Sequence, residues 1–426
     1  MRFLLVNPWI ADFAAYNFWV RPLGLYGLAQ WLHAFGAEIC LLDCLSPFPA
    51  PGKFKRVPVP LPIAKDLPIK RSFARYGIGI EEFRYRLQKA MPVDAVFVTS
   101  VMSYWYPGVI WTVEEIRRTL GNVPIILGGI YATLWTEHAI KNIDVDFVCK
   151  GPLQKNKGRL CDFLGLHRQA RPETPWYRLS LWDGVEYSAV RTATGCPFRC
   201  TYCASRIVSG PFHQINKTKI LDEIIYLYNK GVKQIAFYDD ALLVDFHNRL
   251  GPILDELDER GINLSFHTPN GLHARFLDEY VAKRLVKSGF KTVRLSLETV
   301  DAERQAKTGG KVTSRDLETA IKNLIAAGMD KDSIGVYLLV GLPDQDLDEV
   351  ESSVRYVLDL GVRPYLAEFS PIPGTIEWER LEKRGIVSKD MDPLLTNNTI
   401  FYRLFCNYDT ATLRGLKVLA RSSSFR

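Results

Sequence analysis

The strongest constraint on the fold is an alternation, repeated in two blocks, of short apolar runs rich in β-branched residues with longer amphipathic stretches. In the first block the runs are Arg2 to Asn7, Ala37 to Asp43, Ala95 to Val101, Pro124 to Leu127 and Val145 to Val148. Runs apolar on both faces fit strands of a parallel sheet covered by helices. Pro22 to Leu32 carries a helical apolar stripe ending at Gly36, the crossover expected of a right-handed βαβ unit. Five such strands predict one doubly wound domain over residues 1–152. The insertion from Ser46 to about Arg75 is rich in Pro and Lys and reads as a surface flap.

Residues 153–187 show little apolar periodicity and are expected to connect two domains. A second series follows: Ser188 to Ala193, Gln234 to Tyr238, Leu264 to Thr268, Thr292 to Leu297, Ile334 to Val340 and Tyr365 to Ser370. Six βα units over residues 188–375 are too few to close an eight-stranded barrel but suit an open, partial one, with its reactive groups at the C-terminal strand ends. Residues 376–426, with Trp378, Phe401, Tyr402, Phe405 and Tyr408, read as a small helical cap.

Composition narrows the function classes. The chain has 426 residues and a formal net charge of +7, but the basic excess is spread out, with no dense block of the kind that grips nucleic acid. No run of about eighteen apolar residues occurs, so no membrane-spanning helix is expected. The start, Met1 to Trp9, lacks an apolar core followed by a small-residue cleavage site, so a reducing cytoplasm is expected and the eight cysteines read as thiols or ligands rather than disulfides.

Three of those cysteines stand apart. In Thr194-Gly-Cys-Pro-Phe-Arg-Cys-Thr-Tyr-Cys-Ala-Ser205, Cys196, Cys200 and Cys203 follow the first strand of the second block. Thiolates so closely spaced on one loop can reach three corners of a cuboidal iron-sulfur cluster, as short-gapped cysteine runs of ferredoxins do. A ferredoxin supplies a fourth, whereas here Cys40, Cys44, Cys149, Cys161 and Cys406 are scattered, which leaves one iron open to a small molecule. The alternative is a structural zinc site, which would call for paired Cys-x-x-Cys knuckles and a fourth Cys or His, and no second knuckle is present. Cys40, Cys44 and Cys149 sit in or beside apolar strands and are expected to pack as small hydrophobes.

Cys196, Cys200, Tyr202 and Cys203 resemble the Cys-x-x-x-Cys-x-aromatic-Cys motif of the radical S-adenosylmethionine (SAM) superfamily. The resemblance implies a 4Fe-4S cluster whose open iron binds the amino and carboxylate groups of SAM. One electron then cleaves SAM to methionine and a 5′-deoxyadenosyl radical, while the protein supplies position and excludes water. Further SAM contacts follow from matching strand ends. Tyr238, Asp239 and Asp240 stand in the place of the motif that binds the methionine ammonium, though its glycines are absent. Ser296 and Glu298 match the fourth-strand residues facing the ribose or methionine; alternatively Glu298 is a buried partner of Arg294. Leu339, in Gly335 to Pro343, and Ile372, in Ser370 to Thr375, would edge the adenine, or either segment is only a turn. Asn270 would reach SAM, and His273 and Arg275 the substrate, although a lone histidine is as often structural.

Taken with this core, the first block is similar to the flavodoxin/Rossmann-like domain of the cobalamin-binding branch, followed by a partial (β/α)6 TIM barrel. Open sheets of this kind bind flat cofactors at their C-terminal edge. Asn7, Ser100, Met102, Tyr104, Gly128, Gly129 and Tyr131 would then face cobalamin. Tyr104, Trp105 or Tyr106 would crowd the lower corrin face or else pack in the core. The signature that supplies a lower axial histidine is missing, and Gly151-Pro152 replaces the usual Gly-Glu at the domain junction. The branch implies methylation of an unactivated carbon in a small-molecule or peptide substrate, fed by an electron donor such as flavodoxin or ferredoxin. Two rivals remain: a rearrangement, ring contraction or cyclisation with non-methylating or absent cobalamin, and an iron-sulfur redox sensor.

Overall fold

The computed structural model describes residues 1–46, 52–63, 69, 71–166, 169–405 and 410–422. Cys406 and Tyr408 lie outside them. The chain divides into two compact units: Met1–Val185 with Ile207–Ser209 and Lys389–Asn397, and Glu186–Arg206 with Gly210–Ser388 and Asn398–Arg426.

The first unit is built on β1 (Arg2–Asn7), α1 (Leu23–Ala34), β2 (Glu38–Asp43), α2 (Ile80–Ala90), β3 (Ala95–Val98), α3 (Tyr106–Leu120), β4 (Ile125–Leu127), β5 (Phe147–Val148) and α4 (Leu153–Leu164). Its five strands are all parallel, with β1 between β2 and β3 and then β4 and β5 outward. This is the 2-1-3-4-5 order of a flavodoxin-like sheet, whose switch point lies between β1 and β3. Phe3, Leu4, Leu5 and Val6 are buried on both faces, as a central strand requires. Leu25, Ala29 and Leu32 form the buried stripe of α1.

The expected flap is partly a sheet. Ala74–Tyr76 pairs antiparallel with both Ile10–Asp12 and Arg56–Pro58. Ile10, Phe54, Ala74 and Tyr76 form its core, with Trp105 packed against it. Single apolar residues between prolines gave no strand period to read, and pairing with the residues after β1 supplies the missing partner. The expected connector is likewise part of the first unit as far as Val185. Trp176 stacks on Tyr26 with centroids 4.0 Å apart, and its backbone N–H donates to Gln30 Oε1 at 2.9 Å.

The second unit contains β6 (Tyr187–Val190), α5 (Lys217–Asn229), β7 (Gln234–Phe237), α6 (Leu250–Glu259), β8 (Ser265–His267), α7 (Glu279–Lys287), β9 (Phe290–Glu298), α8 (Ser314–Ala326), β10 (Ile334–Val340), α9 (Leu347–Asp359), β11 (Arg363–Glu368), α10 (Ile376–Lys383), α11 (Asn398–Phe405) and α12 (Thr410–Leu419). β6 to β11 pair in chain order, all parallel, and Leu272–His273 adds a short strand beside β9. This is the open (β/α)6 partial barrel expected.

The expected C-terminal cap is divided. Tyr402, Leu413 and Leu416 pack on Val340 and Val350 of the second unit. Lys389–Asn397 belongs to the first, where Asn397 Nδ2 donates to buried Asp12 at 3.0 Å and Tyr106 OH donates to Asp392 at 3.0 Å. Such polar anchoring carries no periodicity. No helix among the described residues is long and apolar enough to cross a membrane. Replacing Trp176 by Ala removes the stack on Tyr26 and should lower stability by about 3 kcal/mol. Urea unfolding followed on the first unit checks this, and an unchanged midpoint would mean that the segment is not fastened there.

Candidate active site

The cysteine loop leaves the C-terminal end of β6. Its root is held by Asp239, just past β7, whose carboxylate accepts from Thr192 N at 3.0 Å, Thr192 Oγ1 at 2.6 Å and Ala193 N at 2.7 Å. Arg249 faces the same carboxylate at 3.3 Å, and both side chains are buried. Ala193–Thr194 then pairs antiparallel with His213–Gln214, which closes the loop at its base. Gly195 has φ +71°, and a Cβ there would lie 2.5 Å from the carbonyl of Pro211, so only glycine fits.

The loop is clasped again at its middle. Thr201 N donates to Thr308 O at 3.1 Å, while Thr201 Oγ1 donates to the buried Glu377 carboxylate at 2.6 Å. Cys196 is buried, Cys200 half-buried and Cys203 exposed. Desolvation raises all three thiols, and Cys200 adds to the rise at both of the others; Cys203, despite its exposure, is pushed up to about 11. The backbone N–H of Ser205 donates to Cys203 Sγ at 3.4 Å. Three thiols on one short pinned loop, with an N–H donor to sulfur, form a donor set that fits a cluster.

Around this loop the structure sorts the residues expected to touch SAM. Asp239, expected at the ammonium, is buried and accepts from Thr192, Ala193 and Arg249, mostly through Oδ1. Asp240 and Tyr238 are half-buried beside it, and Asn270 Nδ2 donates to Asp239 O at 3.1 Å. Ser296 is buried under Gly271, where a Cβ would lie 2.0 Å from Ser296 Oγ.

Glu298 closes β9 with φ +74°, a conformation rare for a residue with a side chain. It pairs with Lys311, and its charge raises the Tyr202 phenol further after burial has already done so. Arg294 is not its partner: that guanidinium goes to the carbonyls of Val293 and Ser333 and to Tyr365 OH. Leu339 is half-buried, with its carbonyl accepting from Gln345 Nε2 at 3.1 Å, and Gln345 Oε1 accepts from Gly341 N at 3.0 Å. Ile372, half-buried, accepts from Thr375 Oγ1 at 2.7 Å in a turn.

His273 is buried and stacks on Phe198 of the cysteine loop, centroids 4.6 Å apart. Burial, with Lys311 and Arg275 adding to it, pushes the imidazole down to about 3, so it is neutral, and Nδ1 has no hydrogen-bond partner among the described residues. Arg275 is exposed and donates to Gly310 O at 2.7 Å.

In the first unit a small hollow lined by Asn7, Leu45, Ser100, Val101 and Trp105 lies at the β1/β3 switch point. The residues expected to face cobalamin divide there. Asn7 Nδ2 donates to Asp43 at 2.7 Å and Ser100 Oγ to Gly128 O at 2.7 Å, so both are occupied within the domain. Tyr131 is in the core, its hydroxyl 2.6 Å from His138 Nδ1 and its ring stacked on Tyr106. Tyr104 is buried and Met102 half-buried. Trp105 donates to Asp12 at 2.6 Å, so it is tethered at its indole N–H. Gly129 has φ +94° and presses on the Ser100 carbonyl, which brings the Gly128-Gly129 backbone to the strand edge.

Comparison with known proteins decides the core. Residues 190–357 match the radical SAM superfamily. That stretch of the chain is similar to a radical SAM domain. A radical SAM domain implies a 4Fe-4S cluster and SAM, and the motif cysteines Cys196, Cys200 and Cys203 fall within the matched span. An uncharacterized methyltransferase of Pyrococcus horikoshii is 25% identical over 333 residues, covering 69% of this chain and 70% of its own. The radical SAM methyltransferase TsrM from Kitasatospora setae, solved with tryptophan substrate and a SAM analogue, has a TM-score of 0.67 at 17% identity over 90% of this chain and 76% of that one. The cobalamin-dependent SAM radical enzyme OxsB has a TM-score of 0.58 at 12% identity, over 90% of this chain and 55% of its own. These likenesses show a shared fold.

Sequence reasoning missed Thr192, Arg249, Thr308, Lys311 and Glu377. Only Lys311 had a readable signal, since Gly309-Gly310 marks a tight turn directly before it. The two neighbouring aspartates should now separate. Asp239→Asn leaves Arg249 buried without its counter-ion and should cost about 3 to 5 kcal/mol in unfolding measurements. Asp240→Asn should leave stability unchanged and weaken SAM binding on the order of tenfold in equilibrium dialysis. The reverse pattern would exchange their roles.

Proposed function

We propose that this radical SAM enzyme uses cobalamin to methylate an unactivated carbon of a small-molecule or peptide substrate. The observation that carries the reading is the pairing, in one chain, of a flavodoxin-order sheet hollowed at its switch point with a radical SAM partial barrel. The likeness to TsrM, one structure of which holds cobalamin and a 4Fe-4S cluster, supports it at a TM-score of 0.64 over 90% of this chain.

The groups would supply an electron, a 5′-deoxyadenosyl radical and a transferable methyl. The chain's own residues supply the geometry. Cys196, Cys200 and Cys203 would hold the cluster on a loop pinned at its root by Asp239 and at its middle by Thr308 and Glu377. Asp240, Asn270, Ser296 and Glu298 would set the SAM methionine and ribose, and Leu339 and Ile372 the adenine. Tyr202 and Tyr238 would wall the same site. Gly128 and Gly129, with Met102 and Tyr104, would receive the corrin edge. His273, neutral and buried against Phe198, would offer an uncharged donor or acceptor to substrate beside Arg275. Such placement is most of what the protein can contribute, because a radical that meets the wrong hydrogen is lost. The electron would come from a flavodoxin or ferredoxin.

Anaerobic reconstitution with iron, sulfide and hydroxocobalamin, followed by gel filtration and metal analysis, tests the reading. About four irons with stoichiometric cobalt are expected. SAM and a reductant should then release 5′-deoxyadenosine. Irons without cobalt would remove cobalt-mediated methyl transfer, and neither metal would overturn the assignment of the site.

A further inference from the structure

Lys311 is a half-buried cation placed against the cluster loop. It follows Gly309 and Gly310 in the turn between the short helix Ala302–Lys307 and α8. Gly309 has φ +122°, and a Cβ there would lie 2.9 Å from the Cα of Cys200, so the turn rests directly on the loop. Thr308 O accepts from Thr201 N at 3.1 Å, and Gly310 O accepts from Arg275 at 2.7 Å, so the turn is tied on both sides of Lys311's approach.

From there the Lys311 side chain, 14% exposed, reaches the Glu298 carboxylate, 9% exposed. The ammonium lies 5.8 Å from the centroid of the Tyr202 ring, and Tyr202 stands between Cys200 and Cys203 in the chain. Burial alone would push the ammonium down. The Glu298 carboxylate beside it outweighs this, so the group is held above its ordinary value and stays charged. A buried ion pair is weak evidence for a stabilising role. A pair placed beside the ligands of an electron-accepting centre has another consequence, because a fixed charge at short range in a low-dielectric site acts on any charge added there.

We propose that Lys311 and Glu298 set the reduction potential of the cluster held by Cys196, Cys200 and Cys203, Lys311 favouring the added electron and Glu298 opposing it. The inference rests on the radical SAM reading of the site. The step is a one-electron reduction: a low-potential one-electron donor is oxidised, the cluster gains the electron, and no bond to protein forms or breaks. Lys311 is thus a positioning residue for charge and touches no reacting atom.

The test is a potentiometric titration with dithionite, followed by electron paramagnetic resonance, on SAM-free reconstituted protein with matched iron content. Lys311→Met should make the midpoint more negative, with the reduced fraction falling about tenfold at a fixed potential, equivalent to about 59 mV for one electron. Glu298→Gln should move it in the opposite direction, the double variant should return close to the wild-type value, and Lys311→Arg should stay there. A role in loop packing alone would lower iron content without shifts of opposite sign. The proposal is overturned by that result, by Lys311→Met titrating with the wild type, or by Glu298→Gln shifting the same way as Lys311→Met. Should Lys311→Met fail to take up iron, the sign for Glu298→Gln and the value for Lys311→Arg still decide it. Wild-type protein that takes up no cluster contradicts the radical SAM reading instead.

Discussion

The carboxylate of Asp239 governs where the chemistry can happen. It receives the backbone of Thr192 and Ala193 and the Thr192 hydroxyl, with Arg249 as counter-ion, in a site closed to water. Removing two charges from water costs several kcal/mol, which the pairing with Arg249 and the hydrogen bonds from Thr192 and Ala193 offset. Its structural effect is local and exact in direction. It locks the ends of β6 and β7 together three residues ahead of Cys196, so the loop departs at a fixed angle. The second clasp, at Thr201, ties the middle of the loop to Thr308 and Glu377, which leaves the three thiols on a rigid support.

Strain and charge collect beside the same loop. Glu298 adopts a positive φ at the end of β9, and the neighbouring Gly271 lets the Leu272–His273 strand approach Ser296. Backbone of this kind persists where surrounding contacts over-determine it. The Glu298 carboxylate pairs with Lys311. The site therefore combines a pinned cysteine loop with the Glu298 carboxylate, the Lys311 ammonium paired to it and a neutral imidazole at His273.

Both sheets were legible from the sequence because their strands are apolar on both faces, which gives runs such as Phe3 to Val6 and Val336 to Val340 a signal independent of their partners. The cysteine loop was legible because spacing along the chain is itself the information. What the sequence concealed depends on partners distant in the chain. Asp239 and Asp240 are chemically the same residue, and only Thr192 and Arg249, 47 and 10 positions away from Asp239, tell them apart. Lys311 pairs with Glu298 rather than Arg294 doing so, since a turn fixed by Gly309 against Cys200 decides which cation arrives. In the first unit, Asn7, Ser100 and Tyr131 sit at the expected strand ends yet spend their polar groups inside the domain, a choice that register alone does not reveal.

The central claim is that three cysteines hold a cluster with one iron left open for SAM. Electron paramagnetic resonance of the reduced, reconstituted protein before and after adding SAM tests it most directly. The account predicts a 4Fe-4S signal that changes on addition of SAM and is lost when Cys196, Cys200 or Cys203 is replaced by Ala. A signal indifferent to SAM, or one that survives loss of any of these cysteines, would contradict it.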